Sequence, residues 1–249
     1  VRISRFFIDQ LLESHGSIEI VAERAHYIRN VLRLKSGDRL VLFNGAGGEY
    51  PATLTEITKK SVCASLDAHN PINRNSPRDV TLGLGILKRD AMDLALQKAV
   101  ELGVTFIQPL ITERITVPMK QIKSRQDHWQ AIAISSCEQC GMNIVPEVLV
   151  PRELSDWCQH QQGNRLIADP NANYSAAPNV RPDPNLFTEH ISILVGPEGG
   201  FSASEVALAN TVGFSGINLG PRILRAETAA ISLLTLVNQA LLESDGANF

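Results

Sequence analysis

At 249 residues, 44% hydrophobic and 20% charged, without low-complexity tracts, the chain reads as folded nearly throughout, as one large domain or a small domain followed by a larger one. No stretch approaches the roughly 20 apolar residues that span a bilayer, Val1-Arg-Ile-Ser-Arg-Phe-Phe7 lacks the apolar region of a signal peptide, and four dispersed cysteines make no disulfide framework, so a cytoplasmic protein is expected. The net charge of −3 hides an asymmetry: residues 1–78 hold 11 Lys and Arg against 8 Asp and Glu, net +3, and residues 79–249 hold 12 against 18, net −6.

The basic N-terminal part is the expected nucleic-acid face. After an opening segment to about Glu19, residues 22–33 place Ala25, Ile28, Val31 and Leu32 at helical spacing. Leu40-Val-Leu-Phe43, Tyr50-Pro-Ala-Thr-Leu-Thr-Glu-Ile57 and Ser61-Val-Cys-Ala-Ser-Leu66 predict three short strands, the first two joined by the turn Asn44-Gly-Ala-Gly-Gly48, in a small barrel-like β domain. The Pro-, Asn- and Ser-rich stretch 67–78 is a linker, and the boundary set within it gives domains 1–72 and 73–249.

Beyond the linker, strand runs alternate with helical patterns: a strand over 80–87, a helix near 90–102 ended by Gly103, a strand over 105–111, and a second helix near 124–140. Further strands are expected at 165–168, 191–195 and 216–219, each in front of a loop. This is the alternation of an α/β domain with a parallel sheet.

Two of those loops carry the candidate chemistry. Ile191-Ser-Ile-Leu-Val195 empties into Gly196-Pro-Glu-Gly-Gly200-Phe201, and Ser202 with Glu205 forms a capping box that opens a helix. Gly216-Ile-Asn-Leu219 leads likewise into Gly220-Pro-Arg-Ile-Leu-Arg225 and then into a long helix whose polar stripe is Thr228, Ser232, Thr235 and Gln239, so that it is expected in a core or a subunit interface. Glycines at a strand's carboxyl end let main chain approach a ligand, and there open α/β sheets bind cofactors. GxGxxG and GxxxxGK[ST] are both absent, which disfavours NAD and nucleoside triphosphates, whereas main-chain groups with apolar walls suit an adenosine without a polyphosphate. A tight strand-to-helix turn with no ligand is the alternative.

Cys137-x-x-Cys140 has no second pair at zinc spacing and continues an apolar helical stripe, and the six histidines are scattered, so no metal is assigned. Arg2, Arg5, Arg29, Arg33, Lys88, Arg89 and Arg114 are the candidate RNA-contacting cations, each with a solvated surface role as its alternative.

Leu194-Val-Gly-Pro-Glu-Gly-Gly-Phe-Ser202, Leu219-Gly-Pro-Arg-Ile-Leu-Arg-Ala-Glu-Thr-Ala229 and Cys137-Glu-Gln-Cys-Gly141 together resemble the small-subunit ribosomal RNA methyltransferase E (RsmE) family of the SPOUT superfamily, as do Arg2-Ile-Ser-Arg5, Leu42-Phe-Asn-Gly45 and Gln97-Lys-Ala-Val-Glu-Leu-Gly103. The resemblance implies an N-terminal PUA-like β-barrel, a C-terminal α/β domain with a trefoil knot over about 165–240, and a homodimer. It implies methyl transfer from S-adenosylmethionine to N3 of one uridine in the decoding region of 16S rRNA. The cofactor residues it implies are Leu194, Gly196, Pro197, Gly199 and Gly200, then Leu219, Gly220, Leu224 and Thr228, with 167–170 as a third loop. The chain departs from the family pattern at Asp169, where a histidine is frequent, and at Met142, where an arginine is.

N3 of uracil is a weak acid, so the transfer needs a proton acceptor and a group to hold the charge spread over O2 and O4. Arg225 is the candidate for the second role and Glu198 or Glu227 for the first; internal pairing of Arg225 with either carboxylate is the alternative. A catalytically silent RNA-binding or ribosome-assembly protein, or a methyltransferase acting on ribose 2′-OH or on tRNA, are the other functions this sequence allows.

Overall fold

The computed structural model describes residues 3–122, 124–172 and 189–244. They fall into two compact units, Val1–Asn75 with Cys137–Val145, and Ser76–Ser136 with Pro146–Phe249.

The first unit is built from β1 (Ser4–Phe7), β2 (Ser17–Val21), α1 (Ala22–His26), β3 (Arg39–Phe43), β4 (Tyr50–Ile57) and β5 (Ser61–Leu66). They make a five-stranded sheet in the order β1-β3-β4-β5-β2, with β1 parallel to β3 and the other pairings antiparallel. Burial alternates along β2 and β5, as it does where one face of a sheet meets a core and the other meets water. The inward set, including Phe6, Ile20, Leu42, Leu54 and Val62, closes on Ile28 from the helical turn after α1.

The three central strands are those the sequence predicts. The outer pair, β1 and β2, lies in the opening segment for which no element is predicted; both are short, and the only signal is the alternation in Ser17-Ile-Glu-Ile-Val21. The expected helix over 22–33 is a short α-helix that widens into a π turn over Tyr27–Val31, where the Leu32 N–H reaches the Tyr27 carbonyl at 3.0 Å. Arg33 follows with φ of 56°, which ends the helical path.

The second unit runs β6 (Asp79–Gly85), α2 (Arg89–Glu101), β7 (Phe106–Ile111), α3 (Met119–Ile122), α4 (Gln126–Cys140), β8 (Glu147–Val148), β9 (Arg152–Glu153), α5 (Leu154–Gln159), β10 (Asn164–Ala168), β11 (His190–Val195), α6 (Ala203–Thr211), β12 (Ser215–Ile217) and α7 (Ala226–Ser244). The last turn of α4 groups with the first unit. Among the described residues the sheet order is β12-β10-β11-β6-β7-β8, β9 pairs with β7 as well, and every pairing is parallel. The central strands β6 and β11 are buried on both faces, which is why they read as apolar runs.

On α2, Met92, Ala95, Leu96, Ala99 and Val100 recur at helical spacing and are buried, and Gly103, at φ of 82°, supplies the left-handed residue after the helix. Helix α7 packs on α2 and buries Ala230, Leu233, Leu234, Val237 and Leu241 while Leu236 stays exposed. The trefoil crossing implied over 165–240 runs through 173–188, which lie outside the described residues. Among the described residues no helix is long and apolar enough to cross a membrane.

Candidate active site

A parallel sheet brings the carboxyl ends of its strands to one edge, and in the second unit five of the loops leaving that edge surround one cavity of about 1160 Å³. Its walls come from 88–91 after β6, Arg114 after β7, 168–171 after β10, 195–201 after β11 and the segment from Ile217 to Ala229 after β12. Both glycine-bearing loops singled out in the sequence are therefore part of one site.

The loop after β11 packs tightly. A Cβ on Gly85, the last residue of β6, would stand 2.5 Å from Pro197 Cδ, and one on Gly196 would stand 3.2 Å from the Phe201 ring, so main chain occupies space a side chain would need. Gly200 has φ of 66° and Gly220 φ of 115°, conformations that L side chains rarely adopt. Ser202 then caps α6: its Oγ accepts the Glu205 N–H at 3.3 Å and Glu205 Oε2 accepts the Ser202 N–H at 2.8 Å.

Strand β12 ends at Ile217, two residues before the sequence places its end, because Asn218 turns away to bridge loops. Its Nδ2 donates to the carbonyls of Pro170 at 2.9 Å and Ala172 at 3.0 Å, and its Oδ1 accepts the Gly220 N–H at 2.9 Å. Asn218 thus fixes the loop after β10 against the loop after β12, a role that only its place one residue past a strand foreshadows.

Gly196, Pro197, Gly199, Gly200, Leu219, Gly220 and Leu224 all line the cavity. Leu194 does not: its side chain is fully buried in a cluster with Leu110, Trp157 and Ile167, and it is the next residue, Val195, that faces the cavity, as alternation along a strand requires. Thr228 lies in the first turn of α7, outside the lining, whereas its neighbours Glu227 and Ala229 belong to it.

Arg225, Glu198 and Glu227 share the same cavity wall. Arg225 is exposed and has no side-chain hydrogen bond or ion pair among the described residues, so the internal pairing considered from the sequence is absent there. Glu198 is held: its Oε1 accepts the Lys88 N–H at 2.9 Å, placing a carboxylate where α2 begins and where the helix dipole favours negative charge.

Residues 74–238 match the family model described as RNA methyltransferase domain, and residues 22–67 match the RNA methyltransferase PUA domain. A ribosomal RNA small subunit methyltransferase E of Buchnera aphidicola subsp. Schizaphis graminum is 35% identical over 241 residues, which cover 94% of this chain and 95% of the relative. The chain belongs to the ribosomal RNA small subunit methyltransferase E family. A Bacillus subtilis protein of that name is 28% identical over 250 residues, covering 95% of this chain and 96% of its own. The crystal structure of a ribosomal RNA small subunit methyltransferase E from Neisseria gonorrhoeae, bound to S-adenosyl methionine, matches with a TM-score of 0.86 at 33% identity over 96% of this chain and 98% of that one.

The first unit is the PUA-like sheet and the second the SPOUT-type α/β domain. Of the seven predicted RNA-contacting cations, Lys88, Arg89 and Arg114 line the cavity, and Arg222, not singled out from the sequence, joins them there. Arg29 donates to the Thr58 carbonyl at 2.7 Å, Arg33 is exposed, and Arg2 lies outside the described residues.

Arg5 is nearly buried. It pairs with Glu49, donates to Asn143 Oδ1 at 2.5 Å and to the Gly141 carbonyl at 3.2 Å, and lies over the Phe43 ring at 5.1 Å. Arg74 closes the group, donating to Glu49 Oε2 at 3.1 Å and to the Gly141 carbonyl at 3.0 Å. Arg5 therefore joins residues 141–143 to the PUA-like sheet. Of the two family departures, Met142 is buried beside this cluster and Asp169 lines the cavity, its Oδ1 accepting the Asn171 N–H at 2.9 Å.

Proposed function

We propose that this chain transfers the methyl group of S-adenosylmethionine to N3 of one uridine in 16S rRNA of the small ribosomal subunit, and that it acts in the cytoplasm as a homodimer. The observation that carries the reading is the cavity itself, in which residues of both glycine-bearing loops, 196–200 and 219–224, form one part of the wall, and five cations, Lys88, Arg89, Arg114, Arg222 and Arg225, share the lining with the carboxylates Asp90, Asp169, Glu198 and Glu227. At about 1160 Å³ it exceeds the roughly 300–1,000 Å³ of a pocket for one small ligand, which supports room for cofactor and acceptor nucleotide together.

The residues present fit the cofactor. Apolar side chains such as Val195, Phe201, Leu219 and Leu224 suit the adenine, and close-packed glycine loops offer N–H and C=O groups without the cradle a polyphosphate would need. When bound, S-adenosylmethionine supplies an electrophilic methyl on a sulfonium. Gly196, Pro197, Gly199, Gly200, Leu219, Gly220 and Leu224 would hold it, with Leu194 buried behind the first loop and Thr228 exposed on the first turn of α7.

Transfer to N3 requires the uracil to lose a proton while charge develops on O2 and O4. That Arg225 lines the cavity, exposed and unpaired among the described residues, supports it as the group that holds that charge. That one oxygen of Glu198 already accepts the Lys88 N–H favours Glu227 as the proton acceptor. Lys88, Arg89 and Arg114 would meet the RNA backbone near the reacting base, and Arg29 and Arg33 would contact RNA on the PUA-like unit. The homodimer is the part of the reading that the family resemblance implies.

Mass spectrometry of 16S rRNA from cells with and without the gene tests the reading. One N3-methyluridine should disappear with the gene. Unchanged methylation would refute the activity, and absence of S-adenosylmethionine binding in a calorimetric titration would point instead to a silent RNA-binding protein.

A further inference from the structure

Glu205 makes one hydrogen bond more than its capping box needs. Its Oε2 serves the Ser202 N–H at the start of α6, but its Oε1 accepts, also at 2.8 Å, the N–H of Glu113, which belongs to the turn leaving β7. The next residue of that turn is Arg114, a cavity cation. The turn is held from the other side as well: Arg114 Nη1 donates to the Gly199 carbonyl at 3.2 Å, and a Cβ on Gly199 would stand 3.0 Å from both Cβ and the carbonyl oxygen of Arg114. Glu198 makes the equivalent bond to Lys88 N–H in the turn leaving β6. The loop and the first turn of α6 thus hold two neighbouring basic turns, each through a carboxylate that accepts a backbone N–H.

We propose that Glu205 is a positioning residue for the methyl transfer, fixing the Glu113–Arg114 turn to the 196–202 loop so that the Arg114 guanidinium meets the RNA beside the bound cofactor. The inference rests on the functional reading above. An exposed turn held only by its own backbone would let a long arginine sample many positions; the carboxylate removes that freedom before RNA arrives, and preorganisation of this kind is felt as substrate affinity. The same bond links the order of the cofactor loop to the order of the basic wall, so ligands on either side of it should assist each other.

A capping box alone would make Glu205→Ala and Ser202→Ala equivalent, since each breaks the box. The strut makes them differ. With small subunits from cells lacking the gene as acceptor and S-adenosylmethionine saturating, Glu205→Ala should raise KM for the subunit about tenfold with kcat nearly unchanged, while Ser202→Ala leaves KM alone. Arg114→Ala should match Glu205→Ala, and the double variant should be no worse than either single one. Equal effects of the two capping variants, or additive losses in the double variant, would overturn the proposal.

Amide exchange at Glu113 in the wild-type chain decides the matter where Glu205→Ala does not fold. That amide should be protected, and more so with S-adenosylmethionine bound; exchange at the rate of a free amide would overturn the strut. A wild-type chain that transfers no methyl to small subunits sinks the functional reading instead, and leaves this exchange measurement standing.

Discussion

Gly85 and Pro197 occupy each other's space: a Cβ at the end of β6 would lie 2.5 Å from Pro197 Cδ and 2.6 Å from its nitrogen. Both are chain atoms or ring atoms fixed to the chain, so neither can swing away as a flexible side chain would. Gly85→Ala must therefore push the 196–200 loop into the cavity or bend β6. Overpacking of this kind costs about 1–3 kcal/mol, and the displaced loop should lower S-adenosylmethionine affinity about tenfold or more. Calorimetric titration beside a melting curve measures both; wild-type affinity in the alanine variant would show that the loop does not form the cofactor wall.

The proposed division of labour at the cavity predicts opposite patterns for two substitutions. Arg225→Ala removes a donor aimed at charge that exists only in the transition state, so kcat should fall about 100-fold or more while S-adenosylmethionine affinity stays near wild type. Glu227→Gln should lower kcat most at low pH, where hydroxide is scarcest and least of the uracil is already ionised. Single-turnover rates at saturating cofactor across pH 6–9 distinguish the two; an Arg225→Ala chain at full rate would remove the oxyanion role.

Burial pushes the Cys137 and Cys158 thiols up to about 12, with the neighbouring Cys140 thiol adding to the shift at Cys137 and Glu205 to that at Cys158. Thiolate is the reactive form, so at pH 8 neither should react in the folded chain. Iodoacetamide followed by peptide mapping should label only the half-buried Cys63 and Cys140 before unfolding and all four cysteines after it. Native labelling of Cys137 would contradict its packing on the α4 stripe.

The parts of the site that were legible in the sequence are those with a local rule behind them. A buried strand running into glycines marks both loops, and Ser202 with Glu205 at capping-box spacing marks the helix start, because each depends on residues within one turn. The second bond of Glu205 was not legible, since its partner is 92 residues away and is a backbone N–H, which no side chain advertises. Arg5 shows the converse. Its charge suggested RNA, but the Glu49 carboxylate and the Asn143 side chain that surround it come from distant segments and meet it only in the fold. Strands β1 and β2 escaped because their partners, β3 and β5, lie far along the chain and no hairpin turn announces the pairing, and Asn218 because a bridging amide is indistinguishable in sequence from a turn residue.

The Arg5–Glu49–Arg74 group makes the first unit sensitive to acid. Burial by itself would raise the Glu49 pKa, but hydrogen bonds from Arg5 and Arg74, together with their charges, outweigh it and hold the carboxyl below its ordinary value of 4.5. A carboxylate with a depressed folded pKa binds its proton more weakly folded than unfolded. The stability it contributes is therefore complete above pH 4.5 and lost as pH falls through the lower, folded value. Glu49 is 7% exposed, so Glu49→Ala leaves Arg5 buried without its counter-charge and should cost about 3 kcal/mol at neutral pH. Arg74, whose side chain is 38% exposed, should account for the smaller part because water screens it. Urea unfolding of wild type and Glu49→Gln from pH 7 to pH 3 should show two midpoints well apart at pH 7 that draw together below pH 4.5. A gap that stays constant over that range would mean that Glu49 acts through its shape and not through its charge.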